Sequence, residues 1–313
     1  GLGLVTIFSL LCGFAADIPQ LSIFRAGWGL GNATFFATAM TLLIALTPQA
    51  STAVGLYEAA IGLGISVGPL LGGWLGGISW RGPFLGVATL MLVAFIGISA
   101  LMPKSGGRSS ARQKTSLLDP FRALRHRPLL VFGITAMLYN FGFFSLLAYA
   151  PFVMHLDEHG LGLVFLGWGI LLAVTSVFMA PKLQQRFGTI KSMCAMLLMF
   201  GLVLLAMGIW TSTQWVVIAA VIIAGAWLGN NNTLITTAVM NAAPVERSTA
   251  SAAYSFLRFI GGAIAPYLAG KLAELYNPHV PFIVGAAFVL VSVLYIGMSY
   301  NRVKHVDRVQ SAH

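Results

Sequence analysis

Three ionisable side chains, Arg25, Glu58 and Arg258, stand within long apolar stretches of this 313-residue chain. Where such stretches cross a bilayer, each charge costs at least about 2.5–3.5 kcal/mol and requires a task or a partner. Arg25 opens the run Arg25-Ala26-Gly27-Trp28-Gly29-Leu30-Gly31-Asn32-Ala33. A fixed positive charge lowers the pKa of a nearby carboxyl group and so sets when that acid releases its proton. The alternative is an arginine that extends to the outer interface, since it lies only a few residues inside its stretch. Of the eight acids, Glu58 is the one read as lying inside a helix, where it titrates in coupling or pairs with a basic residue near the cytoplasmic end. Arg258 has a similar position and the same two readings.

A second group of residues is polar or aromatic rather than charged. Tyr139, Asn140, Phe143, Phe144 and Tyr149 share one stretch, Asn230, Asn231, Asn232 and Thr233 another, and Asn32 and Thr34 a third. An apolar, aromatic cavity with a few amides suits a lipophilic ligand held mainly by burial. The same amides serve equally well to bond neighbouring helices, and the aromatics to pack them. Other chemistry has little foothold. No phosphate loop occurs, and of the six histidines His155, His159, His279 and His305 lie in predicted loops or the tail. The two cysteines, Cys12 and Cys194, support neither a disulfide framework nor a metal site. The expectation is a protein that is not an enzyme, with no metal and no cofactor.

The elements that must hold these groups are membrane helices. The chain is 58% hydrophobic and 8% charged, with a mean hydropathy of +0.87, far from the roughly 25% charge of soluble domains. Stretches of about 20 apolar residues can cross a bilayer. Ten are marked, at 1–16, 21–46, 53–77, 82–102, 128–151, 162–181, 192–212, 215–240, 249–275 and 280–299. The net charge of +10 is unevenly placed. Lys104, Arg108, Arg112, Lys114, Arg122, Arg125 and Arg127 sit in one polar loop. Lys182, Arg186, Lys191, Arg247, Arg302, Lys304 and Arg308 fall on the same side if the helices alternate, against Arg81 and Lys271 on the other. That asymmetry places the loop in the cytoplasm. It orients the protein and implies no nucleic acid.

The most specific pattern is Gly55-x8-Gly64-x3-Gly68-Pro69-x2-Gly72-Gly73, inside one apolar stretch. Small residues at that spacing let a neighbouring backbone approach closely. Pro69 removes a helical hydrogen bond, a loss of about 3 kcal/mol in a soluble helix that neighbouring helices can make good in a membrane. The pattern resembles the antiporter motif on the fifth helix of drug-exporting transporters of the major facilitator superfamily. The Arg25 run resembles the R-x-x-x-G-x-G-x-A motif of that superfamily's fourth helix, where the arginine is linked to proton transfer. Pro181-Lys182-Leu183-Gln184-Gln185-Arg186-Phe187-Gly188 resembles a worn copy of its loop motif G-x-L-A-D-R-x-G, with Gln185 in place of the aspartate.

The sequence also repeats itself. Ala26-Gly27-Trp28-Gly29-Leu30-Gly31-Asn32 recurs as Ala224-Gly225-Ala226-Trp227-Leu228-Gly229-Asn230, an offset of 198. Tyr57, Gly64, Gly68, Pro69, Gly72 and Gly73 recur as Tyr254, Gly261, Ala265, Pro266, Ala269 and Gly270, an offset of 197, and Pro83-Phe84 recurs as Pro281-Phe282. Such a parallel duplication is the arrangement of the two halves of major facilitator transporters. At this offset the stretches at 128–151 and 162–181 have counterparts upstream of Gly1. The chain therefore reads as helices three to twelve of a twelve-helix protein.

The expected fold is an all-α integral membrane protein of the two-bundle type. Its parts are a partial N-terminal bundle (1–102), a basic cytoplasmic linker (103–127), a six-helix C-terminal bundle (128–300) and a cytoplasmic tail (301–313). The resemblance implies a monomeric secondary transporter of the cell inner membrane, exporting lipophilic drug-like compounds by alternating access at the expense of the proton gradient. It implies coupling through Arg25 and Glu58, and a cytoplasmic gate at Arg258 and Arg186. The substrate cavity would be drawn from Asn32, Tyr139, Asn140, Phe143, Asn230 and Asn231. The alternatives are a transporter of a polar metabolite in the same superfamily, or an inactive fragment of a longer transporter.

Overall fold

In the computed structural model the described residues are 1–46, 60, 64, 67–101, 118–240, 242 and 245–310. They form helices joined by short turns, with no strand among them. The principal helices are α1 (Leu2–Gly13), α2 (Ile18–Leu46), α3 (Val67–Ile78), α4 (Gly82–Leu101), α6 (Arg127–Met154), α7 (Glu158–Phe187), α8 (Thr189–Ile209), α9 (Gln214–Met240), α10 (Arg247–Leu275) and α11 (Val280–Met298). Each coincides with one of the ten apolar stretches, although only part of 53–77 is described. Three short helices complete the order: α5 (Asp119–Ala123), α12 (Tyr300–Val303) and α13 (His305–Gln310). Six of the helices, α4, α6, α7, α8, α9 and α11, are long and apolar enough to cross a membrane. Glu58 lies outside the described residues, and another acid, Glu274, occupies the last turn of α10 and pairs with Lys271 at 2.7 Å.

Local chemistry sets the helix ends. Pro128 stands in the first turn of α6 and Pro281 in that of α11, where a missing N–H goes unneeded and the fixed φ suits a helix. α6 stops at His155, whose φ of 48° is left-handed. Gly188, with φ +84°, separates α7 from α8, and Asp307 of α13 fills the gap. Its Oδ1 accepts hydrogen bonds from the backbone N–H groups of Thr189 (2.7 Å) and Ile190 (3.4 Å), a carboxylate cap on the start of α8.

The chain divides into two compact units, residues 1–112 with 157–166, and residues 113–156 with 167–313. The division falls inside the basic segment 103–127 and assigns the first turns of α7 to the first unit. In unit 1, α1 packs against both α2 and α4. In unit 2, α6 is the centre, with α10 and α11 against it, while α8 packs between α9 and α11. Phe132, Tyr139, Phe200 and Phe282 are among its fully buried side chains. The basic segment is not all loop. α5 packs on α10, with Phe121 edge-on to Phe256 at 4.9 Å. Cys12 is buried and Cys194 partly so, both as free thiols.

Candidate functional site

The glycine-rich helix α3 makes its close approach at its C-terminal end. A Cβ added at Gly73 would run into the carbonyl oxygen of Glu158 and lie 3.0 Å from the Gly162 Cα. Gly162 in turn leaves 3.0 Å between its own Cβ position and the Pro69 carbonyl oxygen, and Gly77 faces the His159 ring. Between these backbones lies a cleft of about 340 Å³, lined by Pro69, Gly72, Gly73, Pro83, Glu158 and Phe165. At Gly64, Gly68 and Gly72, no described atom comes within 4 Å of an added Cβ. Of the glycines in that pattern, Gly73 carries a close contact among the described residues. Gly55 and Glu58 lie outside the described residues.

In the rest of unit 1, Arg25 is exposed, with its guanidinium 4.4 Å from the centre of the Trp28 ring. Asn32 is partly buried. Thr34 is exposed and returns its hydroxyl to the Gly31 carbonyl at 2.8 Å. Gly31 lies against the α1 backbone, 2.7 Å from Val5 N to an added Cβ. These residues share a helix with no carboxylate paired to Arg25 among the described residues.

Unit 2 brings the predicted residues together. Tyr139 and Asn140 of α6 are fully buried. The Tyr139 hydroxyl donates to Asn232 Oδ1 on α9 (3.2 Å) and meets the Tyr254 hydroxyl of α10 at 3.3 Å. Asn140 Nδ2 donates to the Ala136 carbonyl (3.0 Å), and its Oδ1 accepts from Arg258 Nε at 3.4 Å. Arg258 stands eleven residues beyond the start of α10, on the buried side of the helix, with Tyr254 beside its guanidinium. The structure thus joins Arg258 to the group expected to bind substrate. Arg186 is exposed near the end of α7, over the Phe187 ring at 5.3 Å. No hydrogen bond or ion pair links it to Arg258 among the described residues.

Packing explains why these three helices meet so closely. Gly261 of α10 lies against the Met137 carbonyl, and Gly262 leaves 2.7 Å from an added Cβ to the Phe144 ring. Gly270 has no described atom within 4 Å of an added Cβ, and Pro266 is exposed inside α10. Phe143 stacks on Trp168 at 6.0 Å. Asn230 donates to the Ala226 carbonyl (2.9 Å) and to Met179 Sδ (3.5 Å), while both amide atoms of the buried Asn231 lack a partner among the described residues.

One participant is not singled out by the sequence: Tyr254 is visible there only as the repeat of Tyr57, whereas Arg258 is read there as a gate residue. A second omission is the π-helical turn Thr175–Met179 in α7. There Thr175 Oγ1 donates to the Ala226 carbonyl at 3.0 Å, and Ser176 bonds Thr233. Gly225 and Gly229 of α9 lie against the Trp168 and Leu172 carbonyls. Such turns recur at functional positions, and only the Thr-Ser pair hinted at this one.

Comparison with known proteins follows the same lines. The profile described as Major Facilitator Superfamily matches residues 1–179 and again residues 151–312. The chain is 49% identical over 314 residues to "Multidrug efflux protein YfmO" of Bacillus subtilis (strain 168), covering 100% of this chain and 78% of that relative. It is 29% identical over 230 residues to "Purine ribonucleoside efflux pump NepI" of Salmonella typhimurium, covering 71% of this chain and 56% of that protein. The apolar helices, the duplicated glycine skeleton and these matches agree: the chain is a multi-pass membrane protein that belongs to the Major Facilitator Superfamily, a family of transporters and not of enzymes.

Proposed function

We propose that the protein exports lipophilic, drug-like compounds in exchange for protons, by alternating access, in the cell inner membrane. The observation that carries this reading is the 49% identity, along the whole chain, to a relative named for multidrug efflux. The antiporter-type helix with Gly68, Pro69, Gly72 and Gly73 supports it. The basic loop faces the cytoplasm, the protein works as a monomer, and its energy comes from the proton gradient with no bound cofactor. Arg25 and Glu58 are the coupling residues. Arg25 acts by keeping a nearby acid ionised until the transporter changes state. The aromatic groups of unit 2, Phe143 and Trp168 among them, supply the apolar surface that holds the substrate.

A second reading is favoured by the polar cluster of Tyr139, Asn140, Asn232, Tyr254 and Arg258. It is export of a polar metabolite, as the name of the purine ribonucleoside pump states for that relative. Ethidium accumulation in cells expressing the protein separates the two. Lower accumulation than in cells without it, restored by a protonophore, supports drug export. Unchanged ethidium with faster loss of a preloaded nucleoside would move the assignment to the polar metabolite.

A further inference from the structure

We propose that Arg258 and Asn232 are the two open ends of a hydrogen-bonded chain that binds the anionic group of an amphiphilic substrate, an aromatic carboxylate in the simplest case. The inference rests on the transporter reading above and names the substrate class.

Hydrogen-bond directions carry the argument. The Tyr139 hydroxyl has one proton, and it is committed to Asn232 Oδ1. The bond between the two tyrosines must then be donated by Tyr254. Tyr254 is left with lone pairs facing the guanidinium beside it. The two hydroxyl donors point the same way, from Tyr254 through Tyr139 to Asn232, with the Arg258 guanidinium beside Tyr254, and aligned bonds of this kind polarise one another. Arg258 Nε is held by Asn140 Oδ1, whose own amide nitrogen is tied to the Ala136 carbonyl. The guanidinium is held in place, and its terminal nitrogens have no acceptor besides Tyr254 among the described residues. At the far end, Asn232 uses its oxygen, and its amide nitrogen has no partner among the described residues.

Exposure follows the same division. Tyr139 and Asn140 are fully buried and Tyr254 is 4% exposed, whereas Arg258 and Asn232 are both partly accessible. The residues with spare donors are the ones a ligand can reach. Nothing among the described residues balances the charge, because no carboxylate pairs with Arg258. A partly buried arginine within a membrane helix and without a counter-ion among the described residues is unfavourable, and the site offers donors in excess of acceptors. A carboxylate supplies both the missing charge and the missing acceptors. The Phe259 ring, 5.7 Å from the guanidinium, adds an apolar flank for the rest of the molecule. The repeat has no equivalent, since Ile61 stands where the offset of 197 places the counterpart of Arg258.

Equilibrium binding of three probes of one shape, naphthoate, naphthamide and naphthylmethylammonium, to the purified protein in detergent tests this. Naphthoate is expected to bind about tenfold or more tightly than neutral naphthamide, and the ammonium more weakly than either. Arg258→Gln should bring naphthoate to the level of naphthamide and leave naphthamide affinity unchanged. Arg258→Lys should keep part of the preference, and Asn232→Ala should reduce it while retaining the arginine. Thermal unfolding recorded in parallel identifies a variant that has lost its fold, in which case the order of the probes on the native protein and on Asn232→Ala decides. Naphthamide binding with no preference for the anion, or a preference untouched in a folded Arg258→Gln, overturns the proposal alone. Failure of all three probes to bind overturns it together with the lipophilic cavity on which it rests.

Discussion

Helices α3 and α10 are copies of one skeleton, and they use opposite ends of it. At the first glycine of the repeat, Gly261 of α10 lies against the Met137 carbonyl, while Gly64 meets no described atom within 4 Å. At the last, Gly73 of α3 lies against the Glu158 carbonyl, while Gly270 meets none. The preceding repeat differs, because both copies use the same glycine. Gly31 packs on the α1 backbone, and its counterpart Gly229 packs on the Leu172 carbonyl of α7. A duplicated sequence thus supplies small residues at several heights, and in α3 and α10 each copy presses a different one against a neighbour. Charge follows the same rule. Arg25 has Ile223 as its counterpart and Arg258 has Ile61, so each half keeps one arginine within an apolar stretch that the other lacks.

The largest effects should come from filling the tight contacts. Gly261→Leu and Gly73→Leu force side chains into backbone and should each destabilise by about 1–3 kcal/mol or more, read as a lower unfolding temperature in detergent. Gly64→Leu and Gly270→Leu should change it little, and an equal loss at all four positions would erase the contrast between the copies.

Next comes the hydrogen-bonded centre of unit 2. Tyr139→Phe removes the donor to Asn232 and the acceptor for Tyr254, leaving both buried or partly buried groups unpaired, for a loss of about 1–3 kcal/mol. Phe at the same cost-free level as wild type would mean that these contacts are incidental.

Asp307→Ala should then remove the cap on α8, a loss of about 1 kcal/mol, with Asp307→Asn retaining part of it through its amide oxygen. Hydrogen exchange at Thr189 and Ile190 should rise in the alanine variant. Unchanged exchange would indicate that the tail does not hold α8.

The smallest expected effect has the opposite sign. Gly270→Ala and Gly64→Ala meet no described atom within 4 Å and gain helix propensity, so each should stabilise by up to about 1 kcal/mol, whereas Gly261→Ala should not.

Apolar length made the helices legible, and it did so closely. The stretch 82–102 became Gly82–Leu101, and 215–240 became Gln214–Met240. Bilayer thickness fixes how long such a run must be, whatever the tertiary contacts. The site was legible by residue type alone. Tyr139, Asn140 and the asparagines of α9 were found because polar groups are scarce in such helices. Their partners were not, because a contact between helices depends on rotation and depth, which periodicity does not report. The bond from Arg258 to Asn140 is one of these contacts between helices. The π turn at Thr175–Met179 and the cap by Asp307 depend on one added residue and one distant tail, and neither leaves a pattern in composition.

Proton-driven export is the central claim, and inverted membrane vesicles containing the protein test it most directly. An imposed inside-acid pH gradient should drive uptake of a lipophilic dye, and collapse of the gradient with a protonophore should stop it. Arg25→Ala should lose gradient-driven uptake while keeping dye binding, and Arg25→Lys should retain part of it. Dye uptake that is indifferent to the gradient, or full gradient-driven uptake in Arg25→Ala, would contradict the account.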